Sequence, residues 1–130
     1  MLMFLKLQKK VWLITSNVLT MNQGEIWQAL LSPVQGREQD GSRPVLIISG
    51  NLLNENTEIV IVCPLTSKLK RYHGNLIMEP TMQNGLDKTS EVLTWQIRTI
   101  SKTRLSKKIG SVPIADVKKV HKTLNEILVY

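Results

Sequence analysis

Along the 130-residue chain, apolar positions fall in short runs separated by polar segments rich in Gly, Pro, Asn and Ser, and only the last run has helical spacing. "GEIWQALLS", from Gly24, predicts a first strand. The polar loop 33–42 leads into "PVLIIS", Pro44 to Ser49, whose β-branched run predicts a buried strand with Pro44 at its first position. "GNLLNEN" reads as a polar connection. "EIVIVCPLTS" predicts the central strand, with pairing that loosens at Pro64 and Thr66 at its end. "NLIMEP" predicts a further strand and "TMQNG" a turn. In "SEVLTWQIRTI" Val92, Thr94, Gln96 and Arg98 alternate with Leu93, Trp95, Ile97 and Thr99, the pattern of one continuous strand. "PIADVKKVHKTLNEILVY" puts Ile114, Val117, Val120, Leu124, Ile127 and Leu128 on one helical stripe with lysines opposite. Short strands and one covering helix predict a mainly β fold with a C-terminal helix (α+β), built on a small twisted or barrel-like sheet.

The opening "MLMFLKLQKKVWLITSNVLT" does not extend this pattern. Its apolar part is broken by Thr15, Ser16 and Asn17 with no small-residue cleavage site after it, and Lys6, Lys9 and Lys10 interrupt it as a membrane span. The expectation is an extension, 1–20, outside a compact domain of 21–130: a loose arm or, preferably, sequence upstream of the true start.

Composition narrows the partners. A 42% hydrophobic content in a chain this short suits one core and one domain. Lys and Arg number 17 against 10 Asp and Glu, a net charge of +7, which favours a polyanion, nucleic acid ahead of an anionic membrane. The same charge serves solubility alone. The single cysteine, Cys63, lies between Val62 and Pro64 and reads as a buried structural thiol. Carboxylates are scattered, and Cys63, His73 and His121 lack paired zinc spacing, so neither a two-metal site nor a zinc site is predicted.

In "GREQDGSRPVLIIS" a guanidinium stands at the mouth of a buried strand. Arg43 there suits phosphate through its rigid fork of donors, but a salt bridge to a neighbouring carboxylate uses the same geometry and is the more ordinary outcome.

Taken in order, "GEIWQ", "SPVQGREQDGSRPVLIIS", "VCPLTS", "QIRTISKTRL" and the terminal helix closely resemble the MazF/PemK family, toxins of bacterial toxin–antitoxin pairs, over Met21 to Tyr130. The resemblance implies an SH3-like barrel of the CcdB/PemK type and a cytoplasmic homodimer blocked by a cognate antitoxin. It also implies sequence-specific cleavage of single-stranded RNA (mRNA) without metal or cofactor, by 2′-OH attack, leaving a cyclic phosphate and a 5′-OH. Carried over by position, Arg43 corresponds to the catalytic arginine and Thr66 to its partner hydroxyl. Glu38 and Gln39 correspond to a loop pair that shapes the RNA groove, with Glu38 also a candidate acid/base group. Further RNA contacts are expected from Ser67, Lys68, Lys70, Arg71, Gln96 and Arg98. Lys68, Lys70 and Arg71 also fit a solvated charge run. Trp95 and Tyr72 can stack unpaired bases, whereas Trp27, inside an apolar strand, reads as core.

The chain departs from the family at three places: Trp95 stands where an acidic residue commonly precedes "QIRTI", Arg37 where Ser or His is common, and Ser32 where Asp often precedes the Pro. Two alternatives belong to other classes. One is a CcdB-like topoisomerase poison, whose Trp-Gly-Ile ending is replaced here by "EILVY"; the other is a barrel that binds RNA without cutting it.

Overall fold

The computed structural model describes residues 20–31 and 41–129. Three apolar runs build its centre. β1 (Glu25–Leu30), β2 (Ser42–Ile47) and β3 (Ile59–Thr66) pair antiparallel in chain order, with Ile26 opposite Leu46 and Leu46 opposite Cys63. β4 (Ile77–Met78), β5 (Ser90–Val92), β6 (Arg98–Ser101) and β7 (Leu105–Ser111) complete the curled sheet. Its order is β4-β5-β3-β2-β1-β7, with β6 also on β3. A short α1 (Asn51–Asn56) stands where the sequence suggested only a connection, and α2 (Ile114–Leu128) closes the fold.

Both faces of the central strands are buried, which is why their runs are continuous and do not alternate. Trp27, Ala29, Val45, Ile47, Val60 and Val62 pack with Ile100 and Leu105 on one side. Ile26, Leu46, Ile48, Cys63 and Leu65 pack on the other with Met78, Val92 and the helix residues Val117 and Val120. The Cys63 thiol is buried and its pKa is pushed up to about 12 by that burial.

Prolines set where the ladders stop. β2 starts at Ser42, so Pro44 is its third residue, opposite Gln28 of β1. The β2–β3 ladder ends at Val45 opposite Pro64, where neither Pro44 nor Pro64 brings an N–H. On the far edge of β3, β5 pairs with Leu65 and Thr66 while β6 pairs with Ile59 to Val62. The stretch 90–101 is therefore not one strand. A 3₁₀ turn of 3 residues, Thr94–Gln96, is looped out between the two pairings, opposite the Cys63–Pro64 step. It buries Thr94 and turns Trp95 outward.

The helical stripe is only half used. Val117, Val120 and Thr123 are buried and Leu124 partly so, but Ile114, Ile127 and Leu128 are exposed, because the helix reaches the sheet only through its middle turns. There Thr123 Oγ1 donates to Gly74 O at 2.6 Å, and a His121 ring nitrogen lies 2.9 Å from Ile48 O.

Candidate functional site

Where β2 and β3 part, a cleft of about 830 Å³ opens. Ser42, Arg43 and Pro44 form one side, and Leu65, Thr66, Ser67 and Lys68 the next. Gln28 and the β7 residues Ser106 to Ile109 form the third, with Gly85 to Lys88 closing the last. Continuing the β2–β3 register two residues past Val45 and Pro64 brings Arg43 opposite Thr66. The two residues singled out by sequence thus lie at the ends of adjacent strands and line the same cleft.

Their local chemistry differs. Arg43 is exposed, and among the described residues nothing pairs with its guanidinium, so the ordinary salt bridge is not formed there. The Thr66 hydroxyl accepts the Lys68 N–H at 3.1 Å, closing a tight turn at the strand end. That bond uses a lone pair and leaves the hydroxyl proton available for donation into the cleft.

Two buried carboxylates brace the segments beside the cleft. Glu91, opposite Thr66 in the β3–β5 ladder, is 0% exposed. It accepts backbone N–H bonds from Lys70 (2.6 Å), Arg71 (2.8 Å) and Tyr72 (3.1 Å), and one from Asn75 Nδ2 (2.9 Å). Burial alone would raise its pKa, but the bonds from Asn75 and the three N–H groups outweigh it and hold the carboxyl below the ordinary range. The loop is wrapped tightly enough to hold Arg71 at φ +55°. Glu25 binds the Asn22 N–H and the Trp27 indole, and its Oε2 lies 3.0 Å from Lys108 Nζ, a cleft lysine. Burial again raises its pKa, and the Asn22, Trp27 and Lys108 contacts bring the net below the usual value.

The turn wall rests on backbone contact. Ser111 N donates to Gln83 O at 2.9 Å, and a Cβ at Gly110 would lie 2.4 Å from Asn84 O. A Cβ at Gly85 would meet Ile109 O at 2.2 Å, so glycine is required on both sides of this approach.

Of the residues expected from sequence, Arg43, Thr66, Ser67 and Lys68 come together in the cleft. Lys70 and Arg71 lie on the Glu91-bound loop, Gln96 in the 3₁₀ turn and Arg98 at the start of β6, all outside the cleft lining. Glu38 and Gln39 fall outside the described residues. Sequence reasoning missed Gln28, Ser42, Asp87, Lys88, Ser106, Lys107 and Lys108. Three of these seven lie in β7, whose "LSKKIGS" has apolar anchors only at Leu105 and Ile109. The available signal was the lysine pair, since lysines commonly mark an edge strand and β7 is one. Among the described residues no three His, Cys, Asp or Glu side chains are grouped to hold a metal, and no helix is long and apolar enough to cross a membrane.

Comparison with known proteins gives concordant results. A family model for the PemK-like, MazF-like toxin of type II toxin–antitoxin systems matches residues 22–128. The chain is 36% identical over 106 residues to the endoribonuclease MazF of Staphylococcus saprophyticus, covering 81% of this chain and 88% of that one. Among solved structures, MazF of the MazE–MazF complex (Form-II) from Deinococcus radiodurans superposes with a TM-score of 0.71 at 25% identity, over 85% of this chain and 97% of that one. A mycobacterial endoribonuclease in complex with its cognate antitoxin gives 0.68 at 25% identity, over 83% and 94%.

Proposed function

Because the chain belongs to the PemK-like, MazF-like toxins of type II toxin–antitoxin systems, we propose that it is an endoribonuclease that cuts single-stranded RNA in the cleft at Arg43 and Thr66. The observation that carries this reading is that Arg43, whose guanidinium has no partner among the described residues, and Thr66, whose hydroxyl accepts the Lys68 N–H and keeps its proton for donation, line one cleft where two strands separate.

The substrate's ribose 2′-OH attacks the adjacent phosphorus, the bond to the 5′ oxygen breaks, and the products are a 2′,3′-cyclic phosphate and a 5′-OH. Negative charge builds on the phosphoryl oxygens during this step. Arg43, fixed to the sheet by pairing opposite Ala29, meets that charge with donors already in place, and Thr66 adds a hydrogen bond. Lys68, Lys107 and Lys108 hold flanking phosphates without reading bases. Glu38 supplies acid/base duty and Gln39 shapes the groove from the segment outside the described residues, while Gln96 and Arg98 serve an RNA path beyond the cleft. The enzyme acts as a cytoplasmic homodimer, and its antitoxin silences it by covering the cleft; the mycobacterial and Deinococcus complexes with antitoxins support a partner of that kind.

Incubation with a long unstructured RNA in excess EDTA tests the reading. Discrete fragments with cyclic phosphate ends are expected, and replacement of the scissile ribose by deoxyribose blocks cutting. Activity that disappears with EDTA and returns with magnesium overturns the mechanism; retarded but intact RNA favours a binding module.

A further inference from the structure

The cleft leaves two large aromatic side chains unused. Tyr72 is 51% and Trp95 53% exposed, and they sit against each other with ring centroids 6.2 Å apart at 71°. Exposed rings of this size normally lose their freedom by packing, yet here the backbone beneath each is held while the ring is not covered. Trp95 is pushed outward by the looped-out 3₁₀ turn, with Thr94 buried beside it. Tyr72 is fixed by its own N–H bond to Glu91, inside a loop bound to that carboxylate at Lys70 and Arg71 as well. An edge-to-face pair also leaves the faces of the edge-on ring uncovered by its partner.

We propose that Tyr72 and Trp95 form a stacking platform for one unpaired base of an RNA strand that leaves the cleft past Thr66. This rests on the RNA-cleaving reading above. Continuity supports it: Lys68 lines the cleft, and Lys70, Arg71 and Tyr72 follow along the same loop. Charge supports it too, since Lys68, Lys70 and Arg71 are all exposed and flank the platform with cations suited to a phosphate backbone. A π-face with adjacent cations is the chemistry of single-stranded binding, in which stacking itself tolerates any base. The Glu91 bonds hold the backbone of Tyr72 and the 3₁₀ turn holds that of Trp95 before RNA arrives, so little ordering is lost on binding.

The test uses Arg43→Ala protein, expected to cut RNA too slowly to matter during a binding measurement, and a short single-stranded RNA centred on a cleavage point mapped with the unaltered enzyme. In that background Trp95→Leu and Tyr72→Leu should each weaken binding about tenfold, whereas Trp95→Phe should retain most of it. An abasic nucleotide scanned along the RNA should cost about the same at one position outside the scissile step, and that cost should vanish in Trp95→Leu. Melting temperatures of the variants exclude misfolding as the cause. Unchanged affinity in Trp95→Leu and Tyr72→Leu, or losses spread evenly over all abasic positions, overturns the platform while cutting by the unaltered enzyme keeps the nuclease reading. An unaltered protein that neither binds nor cuts RNA removes both.

Discussion

Glu25 and Glu91 are buried carboxylates beside one cleft, Glu25 behind its lysine Lys108 and Glu91 behind the strand end that carries Thr66, and they stabilise these two flanking regions by different means. Among the described residues Glu91 has no cation paired with it. Its charge is met by backbone and amide donors, so what it fixes is the course of the loop Lys70 to Asn75. Glu25 faces a lysine whose side chain is 50% exposed, so what it fixes is the position of one charge on the cleft wall. Loss of the fully buried Glu91 orphans four donors, whereas loss of the Glu25 charge releases a half-solvated lysine and leaves only the Asn22 N–H and the Trp27 indole to be met. The flank built by Glu91 should therefore fail as a unit, and the flank built by Glu25 should only loosen.

Arg43→Ala, which touches neither carboxylate, sets the scale of a purely chemical loss: turnover should fall about 10²- to 10³-fold with the melting temperature unchanged. Near-normal turnover would reject its role. Glu91→Ala should destabilise the protein by about 3 kcal/mol, measured by urea unfolding, because the donors from Lys70, Arg71, Tyr72 and Asn75 lose their acceptor. It should also slow cleavage by disturbing Thr66, its neighbour across the ladder. Glu25→Gln keeps an acceptor for Trp27 and removes only the charge facing Lys108. Its cost should stay within about 1 kcal/mol, and the rate should drop no more than about fivefold. Equal destabilisation by the two substitutions would break the comparison.

Acid sharpens it further, with the smallest effect. Both carboxyls are held below their ordinary pKa in the folded state, so the unfolded chain binds protons first as pH falls. Their contribution is complete above the ordinary carboxylate range and is lost as pH drops through the depressed folded values. Glu91→Gln should flatten this acid dependence more than Glu25→Gln does, which unfolding midpoints at successive pH values will measure.

The central strands were legible because burial on both faces leaves unbroken apolar runs, and Arg43 and Thr66 were legible because their neighbours form a family pattern. The register that brings the ends of β2 and β3 to one cleft was not, since register depends on partners far along the chain. Periodicity misled in 90–101, where alternation runs on through residues that Pro64 forces out of the ladder. It was silent in 105–111, where an edge strand needs few apolar anchors. The helix was over-read because sequence shows a stripe but not where the sheet beneath it ends: Ile127 and Leu128 lie on the stripe and remain exposed. Glu91 gave no signal, as three of its four bonds come from backbone N–H groups that every sequence carries.

The lone thiol of Cys63 also makes the molecule a clock. It lies in the middle of β3, fully covered, with a pKa of about 12 that keeps it protonated at neutral pH. A thiol reagent can therefore modify it only while β3 is open, and because the chain has 1 Cys there is no second signal to subtract. The rate of modification under native conditions reads out how often the strand carrying Thr66 comes loose, and bound RNA or antitoxin should slow that clock without any label being introduced.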